Sequence, residues 1–170
     1  MRRIAIDANI LVILYTIEAR QDLSEAQLGE LVQGRRGGDL VQRPLLRRLR
    51  QCFKNATCRM ITVGGLVEAD NLLDNPHRGW SKADAYRGRR TLEKFVDDHQ
   101  VQVLSPSSTH HWSEPDFAEM FRHIGYSDAL LIAAARDTAC DILSDDRRRF
   151  PEFCSMNGVT CYSIEEIPDA

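Results

Sequence analysis

Carboxylates at four places, the last an Asp-Asp pair, and one amide stand out in this chain as groups able to do chemistry. Asp7 and Asn9 interrupt an otherwise apolar run, "RRIAIDANILVIL" at residues 2–14. A carboxylate in such a run is costly to bury unless something pairs with it. Glu68 lies in "GLVEADNLL", Asp128 in "GYSDALLIAAA", and Asp145 and Asp146 in "ILSDDRRRF". Gathered at one end of a sheet, four carboxylates would repel strongly, because two unit charges about 4 Å apart cost on the order of 4 kcal/mol at an effective dielectric near 20. A hard cation relieves that repulsion, and oxygen-only ligands select Mg²⁺ or Mn²⁺. The chemistry expected is metal-assisted phosphodiester hydrolysis, carried out as endonucleolytic cleavage.

The hydrophobic pattern supplies elements to position these groups. A buried first strand ends at Asp7, and the chain passes into a helix at Asn9. Ser24 can cap a helix through "DLSEAQLGELVQG", and a basic helix follows, started near Pro44. "CRMITVGG" predicts a second strand ended by paired glycines, with Glu68 in the first turns of the next helix. Ser81 can cap a charge-rich helix, "VQVLS" predicts a third strand, and "FAEMFRH" a short helix. Ser127 can cap the apolar helix carrying Asp128, "CDILS" predicts a fourth strand, and "VTCYSI" an edge strand. Short strands alternating with helices predict an α/β fold, a three-layer α/β/α sandwich around a mainly parallel sheet of four or five strands. In such a sheet, reactive groups gather beyond the carboxyl ends of the strands, where these acids fall.

At 170 residues the chain is expected to form a single domain, residues 1–170, with a basic helical insertion at about 35–58. The net charge of −3 gives no global basic field, so nucleic acid would have to be met by a local patch. Residues 35–54 provide one: Arg35, Arg36, Arg43, Arg47, Arg48, Arg50 and Lys54 stand against Asp39 alone. A solvated helix with a Leu45, Leu46 and Leu49 stripe explains that stretch equally simply. Five cysteines, odd in number and without a CxxC pair, suit a reducing, cytoplasmic setting with no structural zinc site. No segment has signal-peptide or membrane-spanning character.

The order and context of "IAIDANILV", "GLVEADNLL", "GYSDALLIAAA" and "ILSDDRRRF" resemble the four acidic motifs of the PIN-domain ribonucleases, over residues 3 to about 150. That resemblance, to a VapC-toxin-like but longer branch, implies a parallel-sheet α/β/α fold, Mg²⁺ or Mn²⁺ held by the acids, and RNA cleavage. By position, Asp7, Glu68, Asp128 and Asp146 match the catalytic, metal-binding acids. Asp145 stands beside Asp146 as an alternative or supporting ligand. Asn9, Ser144 and Asn71 would orient the ligands. Arg35, Arg36, Arg47, Arg48, Arg50, Arg147 and Arg148 would meet RNA, with Arg149 in the same run. Partners expected are an RNA substrate, an antitoxin protein of a toxin–antitoxin pair and a second copy of the chain, with no membrane. Departures from the compact toxins are the longer stretch between Asp7 and Glu68, and Gly64-Gly65 where a hydroxyl residue is often seen.

Each acid alone has an ordinary alternative, such as a helix-dipole contact for Asp128 or a surface ion pair for Glu68. Their joint placement at strand-to-helix junctions is what favours a metal site. A non-catalytic PIN-like module that binds RNA or protein is the alternative function. A receiver-like or phosphatase domain fits less well, because Asn9 stands where a second acid would be wanted and "DILSDDRRRF" lacks a lysine. His110 and His111 beside Trp112 read as polar loop surface.

Overall fold

The apolar run behind Arg3 forms β1 (Arg3–Ile6), and the chain turns at Asp7 directly into α1 (Ala8–Ala19). Helix α1 is apolar on every side, and Ile10 through Ile17 are all buried, so it is a core helix and not an amphipathic surface one. Its one buried hydroxyl, on Thr16, donates to Val12 O at 2.6 Å, which removes the penalty of an unpaired polar group. The computed structural model describes residues 3–21, 23–24, 26–29, 43–74, 92–105, 114–146 and 149–168. Residues 26–29 are helical behind Ser24, which exchanges two hydrogen bonds with Gln27: Gln27 N–H to Ser24 Oγ and Ser24 N–H to Gln27 Oε1. That reciprocal pair is a capping box.

The expected basic helix is α2 (Arg43–Asn55). Leu46, Leu49 and Phe53 are its buried stripe, while Arg47 and Lys54 are exposed. Arg59 closes its carboxyl end, donating from Nε to Phe53 O at 2.6 Å, from Nη2 to Lys54 O at 2.7 Å and from Nη1 to His99 O at 3.2 Å. A guanidinium on the last carbonyls of a helix satisfies acceptors that have no partner within it.

Next come β2 (Cys58–Thr62) and α3 (Val63–Asp74). The paired glycines belong to the first turn of α3 and not to a strand end, because Thr62 Oγ1 accepts from Gly65 N–H at 3.1 Å and starts the helix there. Residues 92–98 are helical and lead into β3 (Val101–Leu104). Then follow α4 (Pro115–Ile124), α5 (Tyr126–Thr138), β4 (Asp141–Leu143), α6 (Phe150–Met156) and β5 (Cys161–Tyr162). Ser127 does not cap α5. The helix begins a residue earlier, because Gly125 at φ +91° turns the chain from α4 into α5 in one step, a conformation that glycine adopts without strain.

The five strands form one sheet in the order β3-β2-β1-β4-β5, and every neighbouring pair is parallel. Alternation along the strands splits the core. Ile4, Ile6, Ile61 and Leu143 pack with α1, α2 and residues 92–96 on one face. Ala5, Met60 and Ile142 pack with α4, α5 and α6 on the other. The fold is therefore the expected three-layer α/β/α sandwich, with five strands. Chain direction across the sheet reverses between β1 and β4, since β2 and β3 lie on one side of that boundary and β5 on the other. A crevice opens beyond the strand carboxyl ends at such a point.

All five cysteines are free thiols. No described helix is long and apolar enough to cross a membrane.

Candidate functional site

Asp7 sits on that crevice. Its backbone N–H donates to Leu143 O at 3.0 Å, extending the β1–β4 ladder by one residue before α1 begins, and its side chain is 6 % exposed. The buried carboxylate accepts a hydrogen bond from Ser144 Oγ at 2.8 Å. The same oxygen of Ser144 accepts from Asp146 N–H at 3.1 Å. One buried hydroxyl, the first residue after β4, thus ties the acid after β1 to the turn that presents Asp146. This gives the Ser-x-Asp spacing a physical reason: the hydroxyl must reach back to the amide two residues on, as in a serine turn, while it donates across the sheet.

Glu68 and Asp128 come from α3 and α5. The two helices are brought close by Gly64, where a Cβ atom would lie 3.1 Å from Ser127 Oγ. Any side chain larger than hydrogen at this position would press on the residue before Asp128. Gly65 is equally tight, since its Cβ would lie 3.1 Å from Ile61 Cγ1. Gly64 thus sets the approach of α3 to α5, Gly65 that of α3 to β2, and Thr62 supplies the helix-starting hydroxyl.

The electrostatics join the four acids. Burial, and next the charge of Glu68, raise Asp7 from 3.8 to about 6, against the opposing pull of the Ser144 hydroxyl. The amides of Ala8 and Asn9 also pull it down, although neither completes a cap hydrogen bond with the Asp7 side chain. Asp128 is raised from 3.8 to about 7, first by burial and then by the charges of Asp7, Glu68 and Asp146. Burial raises Glu68. These are the two causes that push a carboxylate toward its neutral form, a dry environment and like charges nearby. The charge of Asp146 reaches Asp128.

The donor set is oxygen only, anionic and partly dry, which fits a hard divalent ion. Among the described residues, no group of three or more carboxylate, imidazole or thiol side chains is assembled that could hold a metal ion as it stands. The arrangement is a field of acids that sense one another and not a finished coordination sphere. A cavity of about 370 Å³ adjoins it, lined by Ser144, Asp146, Pro151, Cys161, Ser163 and the acids Glu165 and Glu166.

The orienting residues divide. Ser144 is in place, and Asn9 is half-buried in the first turn of α1, where its amide faces Asp7. Asn71 lies exposed one turn beyond Glu68, and no hydrogen bond joins it to the acids. Of the cations, Arg47 is exposed, and Arg48 and Arg50 are half-buried on α2. Arg48 Nη1 donates to Ile167 O at 3.4 Å, so one of its donors serves the fold. Arg35, Arg36, Arg147 and Arg148 lie outside the described residues, as do His110, His111, Trp112 and Ser81.

Pattern reading passed over Thr62, for which a hydroxyl three residues before Gly65 was the available signal, and it singled out Gly64 without its contact to Ser127, which joins separate helices. No family model, curated protein or solved structure matches this chain, so its chemistry has to be read from its own residues.

Proposed function

We propose that this protein is a Mg²⁺- or Mn²⁺-dependent endoribonuclease. The observation that carries the reading is the Ser144 hydroxyl fastening the buried Asp7 to the turn that presents Asp146, two of the four chain segments that carry these acids, together with the charge of Glu68 acting on Asp7 and those of Asp7, Glu68 and Asp146 acting on Asp128. The likeness of the four acidic stretches to those of PIN-domain ribonucleases supports the same conclusion.

In this reading Asp7, Glu68, Asp128 and Asp146 hold the ion, and Asp145 flanks them. When bound, the ion supplies Lewis-acid activation for phosphodiester hydrolysis. Ser144 orients Asp7 and favours its ionised form, and the backbone amides of Ala8 and Asn9 favour that form as well. Arg47 and Arg50 on α2, with Arg35, Arg36, Arg147 and Arg148, are the cations offered to the RNA backbone. An antitoxin partner, a homodimer and a cytoplasmic setting belong to the same proposal. The five free thiols suit a reducing compartment.

The test is cleavage of a labelled single-stranded RNA by the wild-type chain with Mg²⁺ or Mn²⁺, with EDTA, and by Asp7→Asn and Asp128→Asn. Cleavage that needs the ion and is lost in both variants supports the proposal. Undiminished cleavage in EDTA, or wild-type rates for Asp7→Asn, overturns it.

A further inference from the structure

Arg149 lies three residues beyond Asp146, immediately before α6, and is exposed. Its Nη1 donates to Nδ1 of His123 at 2.9 Å. A guanidinium has donors only, so Nδ1 must be the acceptor, and the ring proton then sits on Nε2. His123 is itself held in plane by Phe153, with ring centroids 5.8 Å apart and 22° between the planes. Arg136, by contrast, meets Glu114 at 2.9 Å and Asp137 at 3.2 Å, while Arg149 makes no ion pair with a carboxylate among the described residues.

The two partners hang on segments that carry the acids. His123 ends α4, which turns at Gly125 straight into the helix bearing Asp128. Arg149 continues the segment that leaves β4 through Ser144 and Asp146. We infer that Arg149 and His123 form a positioning pair that grips a backbone phosphate of the RNA strand next to the one being cleaved. The inference rests on the endoribonuclease reading above. It assigns to this pair, and not only to the arginines of α2, the task of laying the strand across the acid edge.

The chemistry matches an internal phosphodiester. The remaining guanidinium donors and the His123 Nε2–H offer charge-assisted hydrogen bonds to anionic oxygens, and contacts of this kind fix register without reading sequence. His123 serves Arg149 by fixing the direction of its guanidinium.

The experiment is steady-state cleavage of one fluorescent single-stranded RNA, carried with a 5′-hydroxyl or a 5′-phosphate, by the full chain and its Arg149→Ala, Arg149→Lys, His123→Ala and double variants at two salt concentrations. For Arg149→Ala, KM is expected to rise about tenfold with kcat within about twofold. The slope of log affinity against log salt should fall by about one. Arg149→Lys should recover most of the loss, and the double variant should be little worse than Arg149→Ala, because the pair acts as a unit. Both RNA ends should respond alike. A loss confined to the 5′-phosphorylated RNA would mean a terminal phosphate is gripped instead, and overturns the internal assignment. Wild-type KM and salt slope in Arg149→Ala, or a loss in kcat alone, overturn the inference while leaving the nuclease reading intact. Absence of any RNA cleavage or binding by the wild-type chain removes both.

Discussion

Ser144 and Asp7 stand 137 residues apart in the chain and meet through a buried 2.8 Å hydrogen bond from hydroxyl to carboxylate. The bond runs across the β1–β4 boundary, where the order of strand addition reverses, and it favours the ionised form of an acid that burial pushes the other way. Ser144→Ala removes the donor and leaves Asp7 dry and less ionised at neutral pH. The amide of Asp146 loses its acceptor as well. Stability is expected to fall by about 1–2 kcal/mol in urea unfolding, and Mn²⁺ affinity or cleavage rate by about 10–100-fold. Ser144→Thr, which keeps the hydroxyl, should lose much less. Equal losses for the two substitutions would show that packing, and not the hydrogen bond, is what matters there.

The acids should make the metal-free protein less stable as pH rises. Asp128 stands at about 7 in the folded chain against an ordinary 3.8, and Asp7 at about 6. The folded state therefore binds more protons than the unfolded one between those values, and stability declines with increasing pH across that window. Below about pH 4 the penalty is absent, and above about pH 7 it is complete. Asp128→Asn removes its share, on the order of 2–3 kcal/mol after allowance for the part of the side chain that faces water. Urea unfolding in EDTA should find this variant more stable than wild type at pH 8 and nearly equal to it at pH 4. A variant less stable than wild type at pH 8 would refute the claim that repulsion and burial dominate at this site.

Gly64 sets how near Glu68 and Asp128 can come. An alanine there would place its Cβ 3.1 Å from Ser127 Oγ, so α3 or α5 must shift by a few tenths of an ångström. Alanine is otherwise the better helix former by about 1 kcal/mol, so the two effects oppose each other in stability and leave Gly64→Ala near wild type in thermal unfolding. Activity has no such compensation, and cleavage should fall about tenfold or more if ligand spacing is critical. Adding Ser127→Ala removes the obstructing oxygen and should restore part of the rate. A double variant that is no better than Gly64→Ala would place the fault elsewhere.

Much of this could be read from residue types alone. Alternating apolar strands and helices fixed the parallel sheet, and "VTCYSI" holds the expected edge strand, β5, while the third strand, in "VQVLS", forms the other edge as β3. The acids were legible because a carboxylate in a run such as "IAIDANILV" has few ordinary explanations. Ser144 was legible because its spacing to Asp146 is local. What stayed hidden depends on contacts between distant elements. Nothing near Arg59 announces that it closes α2, and nothing near Gly64 names Ser127. Arg48 illustrates the limit of charge counting: a cation in a basic stretch is partly committed to Ile167 O, which no local pattern reveals. Arg149 likewise is bonded to a histidine 26 residues earlier.

Divalent ions should stabilise the chain, and protons should compete with them. A ligand that binds only the folded state adds about 2.7 kcal/mol at 100 times its Kd, or about 5–10 °C in Tm for a domain of this size. Its carboxylate ligands must be deprotonated to bind. Asp7 at about 6 and Asp128 at about 7 are ionised at pH 8 and largely protonated at pH 5.5. Differential scanning fluorimetry with Mn²⁺ or Mg²⁺ at about 100 times its Kd should therefore show a clear rise in Tm at pH 8, a small one at pH 5.5, and reversal by EDTA. Asp128→Asn should abolish the rise at both. Ca²⁺ separates charge neutralisation from fit: stabilisation without cleavage would show that the acids accept any hard divalent ion while the reaction needs the smaller, octahedral one. An equal Tm shift at the two pH values, or one that persists in Asp128→Asn, would move the ion away from these four carboxylates.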